Sequence, residues 1–309
     1  MTARRARQAP QPSPCRLRLR LPPLYDLDWV LGFLADRAAP AIERVGAAGL
    51  VRVVRLDGVP LVLEIRARPA PAAPRWLAVE ATCGGAPVNA AALRRLVGRM
   101  FDLDTDLAPF LALAAGDPLL APLVARHPGL RLPQLPDPFE GAVRAIVGQQ
   151  VSVAGARTVV DRLIRQLGDA APGGHGLLAF PAAATVAAAP LESLAALGLT
   201  RAKAAALSAV AAASRDGRLD WEELRVSPPD VAQAALVTLP GIGPWTASYI
   251  RMRALGDRDA FPASDLGVIK AVARLHPNPL GAVAIAALSE RWRPWRAYAT
   301  LHLWRSLGT

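Results

Sequence analysis

Leu239-Pro240-Gly241-Ile242-Gly243-Pro244 restricts the fold more than any other stretch of this chain. Glycine reaches positive φ and lets another backbone approach closely, so Gly241 and Gly243 predict a tight apolar hairpin. Pro244 suits the first turn of a helix, where a missing N–H removes no hydrogen bond. The hairpin should therefore open straight into one helix, Trp245–Leu255, and follow another, Pro228–Leu236. A helix entered this way presents unpaired amide N–H groups and the positive end of its dipole, a ready site for an anion. With a net charge of +11, a nucleic-acid phosphate is the natural candidate.

Periodicity divides the rest of the chain. Cys15–Leu21 alternates apolar residues with Arg16, Arg18 and Arg20, the pattern of a half-buried strand with its arginines on the wet face. Leu27–Arg37 reads as a helix with Trp29 and Phe33 one turn apart. The β-rich runs Leu50–Leu56 and Val59–Arg66 flank a hairpin turn at Asp57-Gly58, Pro69–Pro74 is a loop, and Trp76–Thr82 is another strand. Asn89 then caps a helix with Leu93, Leu96, Val97 and Met100 on one side. From Leu107 the strands stop, and Pro and Gly separate helical segments; Asp137, Ser152, Thr200 and Asp265 stand as N-caps, and Pro172–His175 is a loop. The expectation is an α+β protein: a disordered basic tail over 1–14, a small N-terminal α/β domain over 15–104, and an all-helical domain over 105–309.

The totals exclude several classes. An apolar fraction of 52% with 20% charged residues is incompatible with bulk disorder. Two cysteines, Cys15 and Cys83, cannot build a four-thiolate zinc or iron–sulfur site, and a disulfide is not expected in an intracellular DNA-handling protein. No apolar run reaches the ~18–20 residues that span a bilayer, and MTARRARQAPQPSP has no apolar signal core, so no membrane partner and a cytoplasmic location are expected. Lys203 and Lys270 are the only lysines; a GC-rich genome would equally favour arginine, without changing the sign of the charge.

Asp265 is the leading candidate for chemistry. A carboxylate at a helix N-terminus is favoured as the anion, which is wasteful beside phosphates unless a cation forms there. Cleavage of an N-glycosidic bond forms one, because the sugar passes through an oxocarbenium-like state that a carboxylate stabilises while it orients water. Trp245 and Tyr249 lie one turn apart after the hairpin, and Trp304 lies near the chain's end. Aromatics at such spacing serve as core. They also serve as faces for a positively charged alkylated purine, where cation–π attraction is worth ~0.5–2 kcal/mol.

Five stretches, LYDLDWVLGFLADRA, PGLRLPQLPDPFEGAVRAIVGQQVSVA, LGLTRAKA, LPGIGPWTASYIRMRA and ERWRPWRAYATLHLW, together with Asp265 22 residues after Gly243, carry a resemblance. The chain resembles the DNA-3-methyladenine glycosylase II branch of the helix–hairpin–helix glycosylases over nearly everything after the tail. The resemblance implies a helix–hairpin–helix domain with a cleft between helical lobes and Asp265 as the catalytic acid. It implies Phe33, Gln149, Trp245, Tyr249 and Trp304 around a flipped base, and Gly241, Gly243 and Thr246 amides on a DNA phosphate. Carbonyls of Val237, Leu239 and Ile242 would hold Na+ or K+, with no cofactor otherwise required. The implied partner is double-stranded DNA with alkylated bases, bound by a monomer at the bacterial nucleoid.

Departures from the pattern are informative. Gln150 stands where the best-known members insert a leucine wedge, Ser264 stands in place of a second acid, and one residue is inserted between Asp265 and Lys270. Bifunctional relatives place a Schiff-base lysine where Trp245 stands, so covalent lyase chemistry is not expected. Lys203 reads as a solvated helix residue and Lys270 as a phosphate contact. His127, His175, His276 and His302 lack metal-ligand spacing. Arg291–Arg296, with Trp292 and Trp295 among its charges, reads either as a DNA lining or as an ordinary helix start. The expected function is monofunctional excision of alkylated purines in base-excision repair, leaving an abasic site. The alternatives are a glycosylase for oxidised or deaminated bases, or a non-catalytic lesion-binding module.

Overall fold

A computed structural model describes residues 14–68, 75–84, 87–171, 173 and 176–308. The basic tail before Pro14, the Pro69–Pro74 loop and His175 lie outside them. Strands β1 (Cys15–Arg20), β2 (Glu43–Gly46), β3 (Gly49–Leu56), β4 (Val59–Arg68) and β5 (Trp76–Cys83) form one antiparallel sheet in the order β1-β5-β4-β3-β2. Helix α1 (Leu27–Arg37) joins β1 to β2, and α2 (Ala90–Phe101), α3 (Ala108–Ala115) and α4 (Ala121–Arg126) follow the sheet. Then come α5 (Pro138–Gly148) and α6 (Val153–Leu167), a ribbon of β6 (Asp169–Ala170) and β7 (Leu178–Ala179), α7 (Ala183–Ala188) and α8 (Leu191–Ala195). The last third holds α9 (Arg201–Arg215), α10 (Trp221–Val226), α11 (Pro229–Val237), α12 (Pro244–Ile250), α13 (Leu266–Leu275), α14 (Ala282–Ser289) and α15 (Arg296–Arg305).

Local chemistry explains these boundaries. Asp57 and Gly58 have φ of 51° and 78°, as a two-residue hairpin turn requires, and pair Leu56 with Val59. Asn89, Asp137, Ser152, Thr200 and Asp265 each accept a first-turn amide of the helix they precede. Two expectations need correction. The ribbon β6–β7 places strands after Leu107, where only helices were expected; two-residue strands are too short to show a period. The post-hairpin helix also changes its winding: α12 ends at Ile250, and Arg251–Leu255 forms a π-helical turn closed by Gly256 at φ 77°.

Two apolar clusters hold these elements. In the first, Leu63, Ile65 and Leu77 of the sheet pack with Leu93 and Leu96 of α2, Phe110 of α3, Val272 of α13 and Leu301 of α15. In the second, Val143 and Ile146 of α5, Leu163 of α6, Leu207 and Val210 of α9 and Ile250 of α12 pack with Ile42 and Val53. The sheet region therefore feeds both. Tyr249 borders both clusters and marks the seam between them.

Buried charges fasten the frame. Arg52 pairs with Glu43 and Glu140, and Arg144 pairs with the same two carboxylates, closing a ring between the sheet and α5. Burial pushes the Glu140 carboxyl up, but Arg52 and Arg144 more than offset it and hold it below the usual carboxylate range. Arg144 also donates to the Arg37 carbonyl at 2.9 Å, tying in the end of α1. At the other end, Asp117 accepts from Trp292 Nε1 at 2.8 Å and pairs with Arg291, while Asp259 pairs with Arg293 and Arg296. With Trp292 and Trp295 buried, Arg291–Arg296 is pinned to the frame at the start of α15.

Candidate active site

The turn between α11 and α12 is built as its glycines require, with one change. Gly241 has φ 77°, and a Cβ there would come within 2.6 Å of the Ala206 Cβ on α9, so only glycine fits. Gly243 is instead the N-cap of α12 in extended backbone (φ −85°, ψ 177°), so one hairpin glycine, not two, uses positive φ. No side chain caps α12, which leaves the Trp245 and Thr246 amides outside the helix's own ladder.

Asp265 lies across from that helix start. Its Oδ1 accepts from the Val268 amide at 3.1 Å and from Trp304 Nε1 at 2.9 Å, and its Oδ2 accepts from Trp245 Nε1 at 3.1 Å. Both carboxylate oxygens are thus held by indole N–H groups, one from α12 and one from α15. Gly267 makes room for this: a Cβ there would lie 2.9 Å from Trp304 Cδ1 and 3.0 Å from Asp265 Oδ1.

The expected aromatic set comes together around this carboxylate. Trp245 and Tyr249 stack with centroids 5.4 Å apart, Tyr249 lies 6.3 Å from Trp304, and Trp304 lies 6.5 Å from Phe33 with planes 16° apart. Four rings therefore run from the hairpin helix to α1, across the seam between the two cores. Trp245 and Tyr249 are half-buried, and Phe33 and Trp304 are buried. Two guanidiniums face Phe33, with Arg37 Cζ at 3.7 Å and Arg253 Cζ at 4.4 Å from the ring centroid. Arg253 is 2% exposed, and its Nε and Nη1 have no hydrogen-bond partner among the described residues. Burial pushes its pKa down to about 10, so it remains a cation at neutral pH. No sequence signal singled it out, because it sits within an apolar run on a turn of unexpected winding.

Gln149 reaches the hairpin: its Nε2 donates to the Gly241 carbonyl at 2.9 Å and to Thr246 Oγ1 at 2.8 Å. Gln150 is exposed, with φ 55°. Lys203 is not a solvated helix residue. It is half-buried and donates to the carbonyls of Val147, at 3.0 Å, and of Gln149. Lys270 is exposed on α13. Val237, Leu239 and Ile242 line the turn, where the Leu239 carbonyl accepts from the Ile242 amide at 3.1 Å.

Among the described residues no cluster of His, Cys, Asp or Glu could hold a metal ion, and Cys15 and Cys83 are free. His302 is buried against Phe110, with ring centroids 5.5 Å apart, and burial lowers its pKa to about 3. No described helix is long and apolar enough to cross a membrane.

Comparisons with known proteins agree along the chain. A family model for the AlkA N-terminal domain matches residues 16–137, and one for the HhH-GPD superfamily base excision DNA repair protein matches residues 143–296. DNA-3-methyladenine glycosylase 2 of Escherichia coli is 36% identical over 291 residues, which is 93% of this chain and 95% of that protein. A Mycobacterium tuberculosis protein named "Probable bifunctional transcriptional activator/DNA repair enzyme AlkA" is 37% identical over 94% of this chain. This chain covers 56% of that relative, so it spans about half its length. A solved structure of a 3-methyladenine DNA-glycosylase from Archaeoglobus fulgidus superposes with a TM-score of 0.79 at 26% identity, covering 93% of this chain and 97% of that one. The helix–hairpin–helix, the capping aspartate and the matched sequence together assign the chain to the HhH-GPD base excision repair superfamily, as a member of the DNA-3-methyladenine glycosylase 2 family.

Proposed function

We propose that this protein is a monofunctional DNA glycosylase that hydrolyses the base–sugar bond of alkylated purines in double-stranded DNA and leaves an abasic site. The observation that carries this reading is the double indole grip on Asp265, set within a chain of aromatic rings beside an uncapped helix start. The amides of Gly241, Gly243 and Thr246 would take a DNA phosphate, and Gln150 would enter the gap left by a flipped nucleotide. Extrusion is needed because the sugar carbon that reacts is out of reach inside the duplex. Trp245, Tyr249, Trp304 and Phe33 would receive the base, whose positive charge favours electron-rich ring faces and makes it a good leaving group without a general acid.

As the bond from the base to the sugar C1′ breaks, the base leaves with the bonding electrons and C1′ gains positive charge. The Asp265 carboxylate would stabilise that charge, orient the water that adds to C1′ and take the proton that this water releases before passing it to solvent, with Trp245 and Trp304 fixing the carboxylate's direction. Val237, Leu239 and Ile242 offer carbonyl oxygens where α11 ends, a donor set suited to Na+ or K+. Such an ion would supply positive charge beside the phosphate. The protein would act alone, since one lesion offers an asymmetric target, on chromosomal DNA in the bacterial cytoplasm.

The test is base release from duplex DNA carrying one methylated purine, with products resolved before and after alkali. Free base with strand breaks only after alkali is expected. Breaks before alkali would indicate lyase chemistry, and tight lesion binding without release would leave a binding module.

A further inference from the structure

The turn after α5 carries Gln150 in the left-handed region, with φ 55°, a conformation that costs a side-chain-bearing residue energy. Its neighbours hold it from two sides. From the hairpin side, the Gln149 amide is tied to the Gly241 carbonyl and the Thr246 hydroxyl. From the α9 side, the Lys203 ammonium bonds the Val147 and Gln149 carbonyls. These carbonyls lie at the C-terminal end of α5, where they lack intrahelical donors and carry the negative end of the dipole. Lys203 is itself well fixed, because its own amide is capped by Thr200 Oγ1 at 3.2 Å. Three residues further on, Ala206 packs beneath Gly241. Helix α9 therefore supports the hairpin through one residue and the Gln149–Gln150 turn through another.

We propose that Lys203 is a positioning residue, which holds the Gln149–Gln150 turn ready to fill the duplex when a nucleotide is flipped, and which acts through that turn and not on the base. The inference rests on the glycosylase reading above. Burial pushes the Lys203 amine down from the ordinary lysine value, and the two carbonyl acceptors are what keep an ammonium in place there. A turn already ordered need not be ordered anew at each flipping event.

Lys203→Met keeps the aliphatic stem and removes the donors, while Lys203→Arg keeps charge and donors. Single-turnover excision of one methylated purine is measured in duplex DNA and in the same strand unpaired, alongside thermal unfolding. Flipping and gap filling matter only in the duplex. Lys203→Met should lower the duplex rate about tenfold, the factor for re-ordering roughly one residue, and leave the single-strand rate unchanged. Lys203→Arg should restore most of the duplex rate. An equal loss on both substrates, or no loss on either, would overturn the role. A native protein inactive on both would overturn the glycosylase reading and the inference with it, whereas losses confined to the variants bear on Lys203 alone.

Discussion

Asp265 shows how much of a site one residue can organise. Its backbone position as an N-cap was legible from the sequence, since an aspartate before an apolar helical run has few other roles. Its partners were not. Trp245 and Trp304 lie 20 and 39 positions away, and spacing shows which face a tryptophan occupies but not what its N–H meets. Gly267 gave no signal either, because a glycine near a helix start has many readings. The geometry makes it decisive, and Gly267→Ala tests this. Alanine favours a helix by ~0.5–1 kcal/mol, but crowding buried Trp304 costs ~1–3 kcal/mol, so the melting temperature should fall modestly. The new Cβ would push on Trp304 and Asp265, and excision should fall about tenfold to a hundredfold. Unchanged excision would mean that the indole grip does not position the carboxylate. Lys203 was misread for a related reason: its carbonyl partners at the end of α5 and just past it lie 56 and 54 positions away.

At the scale of elements, capped and periodic segments were legible and short ones were not. β2, α7, α10 and α14 are four to eight residues long and too short for a hydrophobic period to stand out. The π-helical turn after α12 had no signal, because Ile250–Leu255 continues an ordinary helical composition. The ring of Arg52, Glu43, Glu140 and Arg144 was equally hidden, since it gathers charges from β2, β3 and α5. It ties the sheet to α5, at whose end the Gln149 turn lies, and through Arg144 to the end of α1. Arg52→Met would leave two buried carboxylates sharing one arginine and should cost about 3–5 kcal/mol in urea unfolding. Arg16→Met, which breaks a surface pair with Glu80, should leave the unfolding midpoint nearly unchanged by the same method. Equal losses for the two would show that burial does not set the value of the ring.

Across the whole molecule, two cores meet at Tyr249, whose ring neighbours Trp245 and Trp304 both bond Asp265, so the site depends on both cores remaining folded together. The expected α+β architecture was readable because strand and helix periods separate cleanly along the chain; the shared packing across that division was not, because sequence patterns report local faces. One buried group, His302, adds to the acid sensitivity of this assembly. Burial, and secondarily His127, lower the pKa of His302 from 6.5 to about 3, so the unfolded chain binds a proton there that the folded chain does not. That contribution to stability is intact above pH 6.5 and is lost as pH falls from there toward 3, at about 1.4 kcal/mol per pH unit. His302→Phe should flatten this loss in unfolding curves taken between pH 7 and about 4, and an unchanged slope would place the acid sensitivity elsewhere. The net charge of +11 also predicts that the logarithm of the affinity for undamaged duplex falls linearly with log salt. The most direct measurement is single-turnover release of a methylated purine from duplex DNA by the native protein and by Asp265→Asn, with lesion binding measured in parallel. Asparagine preserves the helix cap and removes the charge. Release should fall by about 10³-fold with binding retained; release at the native rate would contradict the role assigned to Asp265.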